Sequence, residues 1–213
     1  MSNKNGPKNI EDLVFDFIYE ESINDAIRRT AAASSKSIIM KIEKVKKAVR
    51  EYANHIIDGI DKENNPELEI SKKCFMQCID SIFGAIEEYK NEKKVDCCFT
   101  FGNAQKLVNM TMKRLYIRYY GTSKANGFKY CFCPMDRRMR DKVASKYNNI
   151  FDKSVAYDPE CAWSKMNVPG KDKDGIDNFW LFQKAVDDLL SDEKYKEYKN
   201  RLEMDYFLFT EEE

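Results

Sequence analysis

The chain has 213 residues, of which 43% are hydrophobic and 13% aromatic, enough to bury a core and too apolar for a wholly disordered protein. The 36 basic and 36 acidic residues cancel to a net charge of zero. No apolar run approaches the roughly 18 residues of a membrane span, and the first residues lack the apolar stretch of a secretory signal, so we expect a cytoplasmic protein without membrane contact.

The first half of the chain has the apolar periodicity of helices. A first helix is predicted from Asn9, with acidic residues in its first turn, up to a short connection at 30–37. A second is predicted from Ser37 to Ile60. A third begins at Asn64-Asn65-Pro66-Glu67, where Asn suits the cap and Pro the first helical position, and it ends in the charged stretch EEYKNEKK.

The second half continues this pattern. A helix is predicted over FTFGNAQKLVNMTMKRLYIRYYG, with Gly121 ending it, and a basic helix opens at CPMD after FKYCFC, a candidate for a short extended piece. A long ordered loop is predicted over 148–176 and a final helix from about Asp177 to Leu202, which DYFLF either extends or follows as a short strand. The predicted fold is all-α, a single domain of five or six helices around an apolar core, with the long loop before the last helix.

The charges are segregated along the sequence. Residues 101–150 contain eleven basic and two acidic side chains, a net charge of +9, whereas residues 151–213 carry a net charge of −7. Such a basic segment attracts phosphates if the fold displays it on one face. The alternative is that it pairs with the acidic C-terminal segment inside the fold, and the sequence leaves both open.

Side chains suited to phosphate lie within segment 105–146. Arg forks bind phosphate in a bidentate manner, and aromatic rings are stacking platforms for unpaired bases. Alternatively, these aromatic residues pack the core and the cations keep the surface solvated. The predicted binding residues are Lys106, Asn109 and Lys113 on one helical stripe, Lys124 and Lys129 on the connection, and Arg137, Arg138, Arg140 and Lys142 on the next helix.

Signals for catalysis and metal binding are weak. The chain contains no C-x-x-C pair, and Cys74 and Cys78 lie in an apolar stripe, so neither a metal nor a cofactor is predicted. The single histidine, His55, is predicted to be a boundary residue, and no nucleophile or phosphate-loop motif is present. Asp136 is the weak catalytic candidate. If Cys133 caps the helix, Asp136 occupies its third position, and we favour that capping role.

Three strings, FGNAQKLVNMTMKRLY, CPMD and WSK, resemble an uncharacterised group of small bacterial proteins. That group has a G-x-A-Q-K-x-x-N helix, a later C-x-C-P-x-D element and a W-S-K tripeptide. It often has His between the two cysteines, where this chain has Phe132. The resemblance covers about residues 101–165 and implies no reaction. It nominates a shared site of Gln105, Lys106, Asn109, Asp136, Trp163, Ser164 and Lys165.

The sequence therefore favours an intracellular binding protein that holds RNA, single-stranded DNA or a nucleotide on segment 105–146. A different class stays open: a protein–protein inhibitor or adaptor, such as a counter-defence protein of a phage or other mobile element, whose acidic C-terminal residues imitate nucleic acid. An enzyme acting on phosphodiesters ranks third, with Asp136 as base or metal ligand in a cleft roofed by Trp163.

Overall fold

A computed structural model describes residues 9–28, 30–58, 67–160, 162–166 and 173–211. Among them no strand occurs, which confirms the all-α prediction. Short 3₁₀ segments span Ala31–Ser35, Ser123–Tyr130, Trp163–Lys165 and Glu193–Tyr195. The α-helices are α1 (Ile10–Ile27), α2 (Lys36–Ile39), α3 (Glu43–Asp58), α4 (Glu67–Lys93), α5 (Phe101–Tyr119), α6 (Arg137–Phe151), α7 (Lys173–Leu190) and α8 (Arg201–Thr210).

Buried apolar side chains from these helices form one hydrophobic core. Helix α1 packs along α5, and α3 packs along α4. At the centre, the Phe75 ring lies 5.1 Å from the ring of Phe132 and 5.6 Å from that of Phe179, measured between centroids. Phe132 is fully buried, so the position between the two cysteines belongs to the aromatic core. None of the described helices combines the length and the apolar character needed to cross a lipid bilayer.

Two predicted helices are divided in the structure. The helix predicted from Ser37 to Ile60 is interrupted. Its first part, α2, ends at Ile39, and after a turn of i→i+3 hydrogen bonds a separate helix, α3, begins at Glu43. The last ends at Leu190 rather than Leu202, and DYFLF lies in the separate helix α8, not in a strand. The structure therefore contains more and shorter helices than the five or six predicted.

The connections also differ from the prediction. In FKYCFC, residues 128–130 close a 3₁₀ segment and only the part from Cys131 is extended. Helix α6 continues to Phe151, so the predicted loop over 148–176 begins later, and α7 takes over from Lys173. The predicted helix start at 64–66 and the end of the second helix at Ile60 lie outside the described residues.

Candidate functional site

The start of α5 is fixed by a capping box and by a glycine. The Thr100 hydroxyl accepts a hydrogen bond from the Asn103 amide at 3.2 Å, and the Asn103 side chain accepts one from the Thr100 amide at 3.1 Å. A Cβ atom on Gly102 would lie 1.6 Å from the carbonyl oxygen of Trp163. Only glycine therefore lets the segment Trp163–Lys165 approach α5 this closely.

Gln105 fastens α5 to the extended segment 131–136. Its Nε2 donates to the carbonyl of Met135 at 2.8 Å, and its Oε1 accepts from the Met135 amide at 3.2 Å. Gln105 is fully buried, and these bonds satisfy backbone groups that cannot reach water. The role that the structure shows for Gln105 is to position the segment that carries Asp136.

Lys106 joins the remaining parts of the three strings. Its ammonium lies 3.1 Å from Oδ2 of Asp136 and 4.6 Å from the centroid of the Trp163 ring. The exposed fractions of the Lys106 and Asp136 side chains are 13% and 27%, and Trp163 is half-buried. The G-x-A-Q-K-x-x-N, C-x-C-P-x-D and W-S-K elements thus meet at one place in the fold.

Asp136 has a different capping role from the predicted one. It is itself the N-cap of α6, with Oδ1 accepting from the Met139 amide at 3.0 Å, rather than the third helical residue after Cys133. Because Lys106 engages the other carboxylate oxygen, a base at Asp136 would first have to release that lysine. The observed arrangement is that of a cap and an ion pair.

Deeper along the same face of α5 lies a second ion pair. Lys113 pairs with Asp205 of α8, and both side chains are at least nine-tenths buried. Burial raises the pKa of Asp205 to about 6, against the opposing effect of the Lys113 charge. Asn109 lies between the two ion pairs on the helix, donating to Gln105 at 3.3 Å, and its buried Oδ1 has no hydrogen-bond partner among the described residues.

Several other predicted cations are engaged by the C-terminal segment. Lys142 donates to the Glu211 carbonyl, and Arg138 donates to the Phe209 carbonyl at 2.8 Å while lying over the Phe209 ring. Arg140 is 3% exposed. Lys146, outside the predicted set, pairs with the Glu211 carboxylate at 2.6 Å. The pair Lys146–Glu211 follows the alternative in which basic and acidic charges pair, whereas Lys142 and Arg138 contact neutral carbonyl oxygens and Arg138 stays exposed.

The remaining predicted cations face solvent. Lys124, Lys129, Arg137 and Lys165 are exposed, and the Arg137 side chain is 86% exposed with a single long contact of 3.8 Å to Asp141. Lys124 lies 5.2 Å from the centroid of the Tyr119 ring, and Lys129 lies 4.7 Å from that of Tyr130.

Two features were missed by the sequence predictions. Arg118, at the end of α5, is exposed and lies 5.9 Å from the Tyr119 centroid, so it joins Lys124 at the same ring. An aromatic groove of about 630 Å³ lies between the end of α5 and α8. Its exposed apolar residues are spaced i, i+3 on α5, a signal that could have found it. The groove is lined by Tyr116, Ile117, Tyr120, Glu197, Tyr198, Glu203, Tyr206, Phe207 and Thr210.

Among the described residues, no group of three or more His, Cys, Asp or Glu side chains is placed to hold a metal ion. The cysteines within the same ranges have free thiols. Comparisons with protein-family models, with curated proteins and with solved structures gave no match. The functional assignment therefore depends on the geometry alone.

Proposed function

We propose that the protein binds single-stranded nucleic acid, or a nucleotide, through the solvent-facing part of its basic segment. The observation that carries the proposal is the group at the end of α5, here called the Tyr119 surface: Arg118, Tyr119, Lys124, Lys129 and Tyr130. Two exposed cations, Arg118 and Lys124, lie at the half-buried Tyr119 ring, and a third, Lys129, is exposed beside Tyr130, whose ring is buried.

The chemistry of the Tyr119 surface suits phosphates and unpaired bases together. Exposed Lys and Arg side chains neutralise phosphates and release counterions. An accessible ring beside them, such as the half-buried Tyr119 ring, accepts stacked bases of any sequence, typically with about 1–3 kcal/mol per base. Tyr120, with 66% of its surface exposed, adds a ring next to this group. Binding would therefore show little sequence preference and a strong dependence on salt.

The test uses a fluorescein-labelled 20-mer oligouridine and fluorescence anisotropy. The triple variant R118A/K124A/K129A should lower the affinity about 10-fold or more at low salt, because three phosphate contacts are lost. Arg140 is left intact because it is buried, so its removal would confound binding with stability. The control, K41A/K93A/K199A, removes the same charge from exposed positions outside the basic segment and should change affinity less than 2-fold. Equal effects of the two triple variants would reject the proposal.

A second candidate function is protein binding in the aromatic groove. The exposed apolar residues that line the groove favour it. Ile117 and Tyr120 are 59% and 66% exposed and lie beside Phe207 in the groove. Contiguous exposed apolar side chains of this kind are typical of protein interaction surfaces. Glu197 is exposed at the groove and Glu203 lines it, so we infer a partner segment with aliphatic side chains and a Lys or Arg.

This second candidate is tested with two 14-residue amphipathic peptides, one of Leu and Lys and one of Leu and Glu. The Leu/Lys peptide should bind, and Glu197→Lys should weaken it at least 5-fold, since the complementary charge is reversed. Glu193→Lys makes the same charge change at an exposed position outside the groove and is the control. Binding that ignores the groove variant, or that favours neither peptide, would exclude the groove as this site.

A further inference from the structure

A thiol and an imidazole face each other between α3 and α4. The Sγ atom of Cys74 lies 3.4 Å from Nε2 of His55, the single histidine of the chain. His55 is exposed and Cys74 is half-buried, so the pair is reachable from solvent. With the ring proton on Nδ1, Nε2 accepts the thiol proton, which is the arrangement of a nucleophile and its base.

The pair lies in a cleft of about 230 Å³. Tyr52 forms one wall, while its hydroxyl is buried and has no hydrogen-bond partner among the described residues. Glu51, one turn before His55 on α3, places a carboxylate at the cleft and disfavours anionic molecules. The cleft therefore suits a small, neutral molecule.

The protonation states show that Cys74 needs a base in order to react, because a raised thiol pKa by itself reduces the fraction of reactive thiolate. Burial raises the pKa of the Cys74 thiol above its ordinary value, and the Lys73 charge lowers it. The thiol is therefore protonated near neutral pH, and its proton must leave as the sulfur attacks. Burial, with the nearby cysteine thiols, raises the pKa of the Tyr52 hydroxyl well above its ordinary value, so Tyr52 stays protonated.

We propose that Cys74 is a reactive nucleophile, with His55 as its base, and that this cleft is a covalent modification site for small neutral electrophiles. In the step, the Cys74 sulfur forms a bond to the electrophilic carbon as the bond from that carbon to its leaving group breaks. The leaving group departs with the bonding electron pair, and the thiol proton passes to Nε2 of His55. The product is a thioether beside an imidazolium, and no oxidant or reductant is consumed.

The exposed Cys98 provides an internal reference, since among the described contacts no imidazole lies at its thiol. The protein is treated with iodoacetamide at pH 7, and alkylation of each cysteine is followed by peptide mass spectrometry. Cys74 should react at least 5-fold faster than Cys98, although it is less exposed. In His55→Gln the Cys74 rate should fall about 10-fold or more, while the Cys98 rate changes less than 2-fold.

Two outcomes would overturn the proposal: a Cys74 rate at or below that of Cys98, or a Cys74 rate that His55→Gln leaves unchanged. His55 is exposed, so its replacement should leave the fold intact, and circular dichroism verifies this. As a further control, Asn54→Gln alters an exposed neighbour of His55 that does not line the cleft and should leave the Cys74 rate unchanged. These measurements involve no nucleic acid and are independent of the proposed binding function.

Discussion

At the scale of single residues, Gly102 connects the W-S-K segment to α5. Since a Cβ atom would lie 1.6 Å from a backbone oxygen, Gly102→Ala must displace the segment Trp163–Lys165. We expect a loss of about 2–3 kcal/mol in the free energy of unfolding, measured by urea denaturation.

Gly84 is the matched control for this prediction. It lies within α4, and a Cβ atom there would meet nothing within 4 Å. Gly84→Ala should therefore stabilise the protein by roughly 0.5–1 kcal/mol, the usual gain of alanine over glycine in a helix. Equal effects of the two substitutions would contradict the close approach at Gly102.

Titration of Asp205 makes the free energy of unfolding decrease as the pH rises. Its pKa is raised by burial from the ordinary 3.8 to about 6, so the folded state holds a proton that the unfolded state releases more easily. Proton binding by Asp205 therefore stabilises the folded state by at most about 3 kcal/mol. This stabilisation is fully present below about pH 3.8 and is lost as the pH rises through about 6.

The measurement is the difference in unfolding free energy between wild type and Asp205→Asn from pH 4 to pH 7. Because Asn does not titrate, other ionisable groups largely cancel in that difference. The wild type should lose stability relative to the variant as the pH rises. A difference that stays constant over this range would show that Asp205 does not titrate there.

At the scale of elements, the start of α6 depends on Asp136. Asp136→Ala removes both the N-cap and the partner of Lys106, and should cost about 1–2 kcal/mol in unfolding free energy. Asp136→Ser retains a capping oxygen and loses only the ion pair, so it should recover about half of that loss. If Ser is no better than Ala in thermal or urea unfolding, the cap contributes little.

The elements show what the sequence could and could not predict. The capping residues Asp192 and Asn200 are visible in the sequence and mark the real breaks: Asp192 accepts from the Lys194 amide, and Asn200 accepts from the Leu202 amide. The break before α3 has no such signal. Ile39, Ile42 and Val45 keep a helical spacing through the turn and are all buried, so apolar periodicity alone cannot locate it.

The candidate site was predictable in part for the same reason. The helical stripe of Lys106, Asn109 and Lys113 follows from periodicity, but its partners come from other elements. Asp136 lies 30 residues after Lys106, and Asp205 92 residues after Lys113, so only the tertiary fold shows that these lysines are paired. The resemblance grouped the three sequence strings into one candidate site. That they lie together in space is visible only in the structure.

At the scale of the whole molecule, the basic residues of the segregated sequence occupy two different environments. Acidic groups of the C-terminal segment compensate the deeper cations, as in the pairs Lys113–Asp205 and Lys146–Glu211. At the Tyr119 surface, Arg118 and Lys124 face solvent beside the Tyr119 ring. The proposed function rests on these two exposed cations and the ring between them.

The most direct test of nucleic-acid binding is the salt dependence of wild-type affinity for labelled 20-mer oligouridine between 50 and 300 mM salt. Binding through the three cations of the Tyr119 surface predicts that the logarithm of the association constant falls linearly with the logarithm of salt concentration. The expected slope is about −2 or steeper, from about −0.7 per contacted phosphate. Absence of binding at 50 mM salt, or a slope near zero, would contradict the account.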